Sequence, residues 1–135
     1  MPKLIIITKL LTLAGVQILG ISVGTLAYYH QGDLYNVCLL RDSNGWNQQL
    51  NCSFPCLISA IEQEHIGEYW LIALPNCNGH ERFLRLCHVV DVGAVSDLPQ
   101  LRERNEVVEI SNGLAQYCGY ETYVDDVWVW RLGGY

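Results

Sequence analysis

Two carboxylates stand where proton-transfer chemistry is plausible. Asp91 closes the β-branched run Val89-Val90, and Glu109 lies inside a second run, Val107-Val108-Glu109-Ile110. A carboxyl at the end of an apolar run is a candidate general acid, because burial disfavours its ionised form and lifts its pKa toward neutrality. If the two runs share a sheet, Glu109 is the second carboxylate of the same site. Each acid also has a structural reading: Asp91 can fix a tight turn at Val92-Gly93 through backbone amides, and Glu109 can pair with Arg85, Arg102 or Arg104. His88 stands three residues before Asp91, on the opposite face of a regular strand. It joins the acids only through a bulge and otherwise reads as a packing histidine. Tyr28, Tyr29, Trp46 and Trp70 offer flat faces for stacking on a bound molecule, whereas Trp128 and Trp130 read as packing residues.

The elements that must position these groups are short. Tyr28–Leu40 reads as strand, turn and strand around Gly32-Asp33, and Arg41–Phe54 as a polar surface loop. Pro55–Gly67 reads as a short helix or irregular crossover, and Glu62, Glu64 and the following Glu68 as a solvated face. Tyr69–Leu74 and Arg82–Val92 form a hairpin around Asn78-Gly79. Asp97–Asn105 is a helical turn or a loop, Glu106–Ile110 a strand, and Ser111 the N-cap of a short helix ended by Gly119. Val124–Leu132 alternates as a final strand. About six short strands with one or two short helices favour an all-β, closed barrel, since closure removes exposed edges.

The 135 residues leave room for one domain and are half apolar. Net charge is −6, and both lysines, Lys3 and Lys9, fall in the first ten residues. That balance argues against a nucleic-acid partner, whose phosphates call for clustered Lys and Arg. All six cysteines follow the N-terminal apolar run. Their even number points to disulfides in an oxidising compartment, with fifteen pairings open and Cys77–Cys87 disfavoured. Zinc spacing is lacking, and no phosphate-loop, dinucleotide or G-x-S-x-G motif is present, so neither metal nor cofactor is expected. Residues 1–27, ending in the small residues of Thr25-Leu26-Ala27, read as a secretory signal peptide, with a retained membrane anchor as the alternative. Contact with a membrane is expected only through that first segment.

One family pattern comes into view. Asn76-x-Asn78-Gly79, the strand ending Val89-Val90-Asp91, then Val107-Val108-Glu109-Ile110-Ser111 with Leu114-Ala115 and Gly119, then Val127-x-Val129, resembles the double-psi β-barrel domain of rare lipoprotein A. Expansins, barwin-type proteins and some glycoside hydrolases share that barrel. The resemblance covers residues 69–132, and Gly24–Tyr29 is similar to its opening strand, which implies a signal peptide or anchor over 1–23 and the domain over 24–135. It implies a six-stranded double-psi barrel that engages peptidoglycan or another polysaccharide, with Asp91 at the position of the family's acid. Lytic cleavage would use Asp91 as general acid, with Glu109 as a second carboxylate. The Arg and Pro that often follow the family's acid are Val92 and Ala94 here, and Glu109 stands where the family often has Asp. Binding is therefore expected ahead of cleavage, with a disulfide-stapled protein-interaction or inhibitor module as a further alternative.

Overall fold

The computed structural model describes residues 2–29, 33–43, 50–93 and 97–133. Helix α1 (Pro2–Leu13) leads into strand β1 (Gln17–Tyr28), helix α2 (Leu34–Ser43), strand β2 (Leu57–Ala60) and a single 3-10 turn (Gln63–His65). Strands β3 (Tyr69–Cys77) and β4 (His80–Val92) follow, then α3 (Leu98–Glu103), β5 (Glu106–Ile110), α4 (Asn112–Cys118) and β6 (Val124–Gly133). The strands close into a barrel in the order β1-β5-β2-β4-β3-β6. The pairs β1/β5 and β2/β4 are parallel, and the other four are antiparallel. Exchanging β1 with β4, β2 with β5 and β3 with β6 reproduces the same list of neighbours. The pairings of the barrel are thus those of two interleaved three-strand halves, exchanged by a topological twofold through the β2/β5 pair.

Alternation along the strands builds the interior. Leu26, Ile58, Ile72, Val89, Val108, Ile110 and Val129 fill one core and are almost wholly excluded from solvent. Burial of each such side chain is worth about 1.5–3 kcal/mol. On β6 both faces are covered: Val127 and Val129 point into the barrel, and Trp128, Trp130 and Leu132 form a second cluster outside it. Leu4, Ile7 and Leu11 of α1 pack on that outer cluster, and Trp130 Nε1 donates to Thr8 Oγ1 at 2.9 Å. Residues Gln17–Gly24 of β1 pair with β6, so the expected boundary between residues 23 and 24 falls within a barrel strand. Among the described residues no helix is long and apolar enough to cross a membrane.

The hairpin turns at Asn78-Gly79, with φ of 48° and 83°, the left-handed pair that matches strand twist. Ser111 caps α4 by accepting from Leu114 N–H, and Gly119 ends it at φ 82°. Asp97 occupies the N-cap of α3, but its side chain makes no capping bond.

Two local expectations need correction. The second strand expected before Leu40 is helix α2. Asp33 accepts the Tyr35 N–H through its side chain and the Val37 N–H through its carbonyl, so a residue taken as a hairpin-turn signal is a helix cap. The helix or crossover expected over Pro55–Gly67 contains β2, whose four residues are clamped between β4 and β5. A strand that short carries no readable period, and its neighbours rather than its propensity decide it.

All six cysteines are paired, as Cys38–Cys52, Cys56–Cys87 and Cys77–Cys118. They enclose 14, 31 and 41 residues of separation, which fits an extracellular setting.

Candidate functional site

The two acids of the sequence reading do meet, through an intermediate strand. Ser59 of β2 is registered against Glu109 of β5 on one side and Asp91 of β4 on the other, and Glu109 is registered against Ala27 of β1. Ala27, Glu109, Ser59 and Asp91 therefore form one row across four strands. The Cα atoms of the two acids are about 10 Å apart, two strand spacings. The row straddles the topological twofold. A register shift after Ile58 leaves Val90 as an extra residue on β4, a bulge that re-aims Asp91 toward the side covered by α2.

There Asp91 is enclosed, at 4 % exposure. Its Oδ2 accepts from the Tyr29 hydroxyl at 2.5 Å, and its Oδ1 from Arg41 Nε at 3.1 Å and from the Arg41 Nη2. Tyr29 is buried with Leu34, Cys38 and Val90 beneath α2. Burial first, then the bond to Asp91, holds its phenol well above the ordinary tyrosine range. Gly93 N–H donates to the Ala60 carbonyl and not to Asp91, whose bonds to Tyr29 and Arg41 fasten the end of β1 and α2 to the barrel. With both oxygens committed inside the fold, the geometry is that of a structural ion pair.

Glu109 is half-buried, and burial, then the neighbouring Glu106, push its carboxyl up to about 7. Glu106 Oε2 accepts from Arg104 at 3.1 Å, while its buried Oε1 has no donor. Burial and the neighbouring carboxylate both favour the protonated form of Glu109. The arginine expected beside Glu109 thus bonds Glu106 instead.

The remaining candidates lie apart. Tyr28 donates to the Thr122 carbonyl at 2.5 Å. Trp70 is buried, donates to Glu68 Oε1 and meets His65 edge-on, so it presents no open face. Glu68 also accepts from Nε and Nη2 of Arg131, each at 2.9 Å, so that member of the expected solvated acidic face is an ion-pair partner. His88 is fully buried and stacks on Tyr69 at 4.3 Å. Its Nε2 accepts the Asn51 N–H at 3.0 Å, so Nδ1, 3.2 Å from the Glu68 carbonyl, carries the proton. Burial lowers its pKa. The bulge that a joint His88–Asp91 site requires is present, yet His88 has both nitrogens engaged elsewhere. Trp46 lies outside the described residues.

An open groove of about 670 Å³ lies on another part of the surface, and sequence reasoning missed it. Its volume suits a small-molecule or oligomer subsite. Leu34 and Tyr35 of α2, Phe54, Pro55 and Leu57, Phe83 and Arg85 of β4, and Ser111, Leu114 and Tyr117 line it. Each wall is stapled. Cys38–Cys52 ties α2 to the segment carrying Phe54, Cys56–Cys87 ties that segment to β4, and Cys77–Cys118 ties the hairpin turn to the end of α4. Tyr35 and Tyr117 are 48 % and 47 % exposed, and the Phe83 and Tyr117 rings stand 5.4 Å apart.

Charge is distributed unevenly around this groove. Arg41, Arg82, Arg102, Arg104 and Arg131 are ion-paired with Asp91, Asp126, Glu62, Glu106 and Glu68. The sixth arginine, Arg85, lines the groove half-buried and has no acidic partner among the described residues. The available signals were slight: Phe83 and Arg85 share one face of a strand, and cysteines bracket Phe54-Pro55.

No family model, curated protein or solved structure matches this chain.

Proposed function

We propose that the chain is an extracytoplasmic double-psi β-barrel that binds polysaccharide in the stapled aromatic groove. The observation that carries this reading is a pre-formed cleft with two half-exposed tyrosines and a phenylalanine at its rim. Aromatic faces of this kind pack on the apolar faces of sugar rings. Interleaved halves, with parallel β1/β5 and β2/β4 pairs exchanged by the topological twofold, support the double-psi assignment. Three disulfides support the compartment and hold the cleft in shape before binding, which lowers the ordering cost. Binding is favoured over cleavage because the carboxylate of Asp91 has both oxygens committed to Tyr29 and Arg41.

Retention on insoluble peptidoglycan, cellulose and chitin tests the reading. Wild type is expected to sediment with at least one of them, and Phe83→Ala/Tyr117→Ala to stay in solution with its fold intact. Failure to sediment with any glycan contradicts it.

One observation favours a second reading, a protein-interaction module. β2 is registered only against His88–Val92, so the first half of β4 has β3 on one side and no described strand on the other. His88 N–H donates to Cys56 on the β2 side, and by alternation the N–H groups of Leu86 and Leu84 face that side too. An extended peptide can add to such an edge. Capture of a peptide whose binding is lost on N-methylation of alternate amides, with no glycan retained, selects this reading.

A further inference from the structure

Resting on the polysaccharide reading, we propose that the groove selects glycans bearing carboxylates, with Arg85 as the carboxylate-binding residue. The argument starts from the pairing of charges. The chain carries fourteen acidic side chains against six arginines and two lysines, so an arginine without an acid is unexpected on composition alone. Five arginines have found acids; Arg85 has not among the described residues, and it is the arginine that lines this groove.

Its surroundings amplify that charge. Phe54, Phe83, Leu57 and Leu114 line the same groove with low-polarity surface, where a guanidinium attracts an anion more strongly than in open water. Asp33 is the one acid on the lining, and its Oδ1 accepts the Tyr35 N–H, engaged at the start of α2. Acids on other faces are screened beyond about 8 Å at physiological salt, so the chain's negative total does not cancel a local site. A planar guanidinium gives two parallel N–H bonds to one carboxylate, a fit a neutral hydroxyl does not reproduce. A sugar ring with an equatorial carboxylate presents both surfaces the groove offers: an apolar face for Tyr117 or Tyr35 and an anion for Arg85.

Calorimetric titration with an oligogalacturonate, and with cello- and chito-oligosaccharides of equal length, tests the proposal. The uronate is expected to bind at least about tenfold more tightly than the neutral sugars and to weaken as salt is raised. Arg85→Gln is expected to lower uronate affinity about tenfold or more, to leave the weak neutral binding unchanged and to leave the melting temperature intact; Arg85→Lys recovers part of the loss. Equal affinity for acidic and neutral sugars, with Arg85→Gln silent, overturns the carboxylate preference and leaves the polysaccharide reading standing. Absence of binding by every sugar overturns both.

Discussion

Two arginines mark two regions of opposite character. Arg41 reaches from α2 into the barrel end and joins Asp91 and Tyr29 in a network with little solvent access. Arg85 stands in an open, aromatic groove and bonds no acid among the described residues. The first region holds the residues that look most reactive in the sequence, and the fold uses them internally. The second holds residues of ordinary appearance that the fold leaves available. Reactive chemistry and accessibility are separate properties here, and among the described residues the second region combines a ligand-sized space with unspent polarity.

The comparison predicts a graded set of responses. The largest comes from the covalent link the two regions share. Removing Cys56–Cys87 by a double Ala substitution frees a separation of 31 residues and is expected to cost about 3–4 kcal/mol, lowering the melting temperature by roughly 10 °C or more. Next, Arg41→Met leaves the carboxylate of Asp91 buried with Tyr29 alone and is expected to cost about 3 kcal/mol in urea unfolding. Arg41→Met/Asp91→Leu is expected to recover much of that loss, since it removes the stranded charge as well. A double variant no more stable than the single one breaks the account of this region.

A smaller effect tests the glutamate pair. Glu109, raised to about 7, keeps its proton in the fold at pH values where the unfolded chain has released it. Its contribution to stability is therefore complete below the usual glutamate pKa and lost as pH rises through about 7. His88, lowered by burial, acts in the opposite sense: its contribution is present above the ordinary histidine pKa and lost as pH falls through the lowered value. Glu109→Gln is expected to flatten the decline in melting temperature between pH 5 and 8, measured by scanning fluorimetry; an unchanged slope contradicts a protonated Glu109. At the small end, Lys3→Ala breaks a fully solvated pair with Glu81 and is expected to leave the melting temperature unmoved.

The barrel was legible because its determinants are local. Asn78-Gly79, the Ser111 cap, Gly119 and the alternation of Val124–Leu132 each act within a few residues, and each is found where the pattern places it. β2 and α2 were not legible. Four residues set no period, and the Asp33 signal serves hairpin turns and helix caps alike. Meeting of the acids was half legible: spacing suggested one sheet, but the interposed Ser59 depends on β2 crossing between two distant strands. The groove was invisible for the same reason. Its walls lie up to 84 positions apart, from Asp33 to Tyr117, and are brought together by cysteine pairings that spacing does not determine.

The central claim is that ligand enters at Arg85 and not at the acid row. Amide chemical-shift mapping during titration with an oligogalacturonate tests it most directly. The account predicts that the responding amides cluster at Phe54, Phe83, Arg85 and Ser111–Tyr117, with Tyr29, Ser59, Asp91 and Glu109 silent. Shifts concentrated at Tyr29, Ser59, Asp91 and Glu109, with the groove unmoved, contradict it.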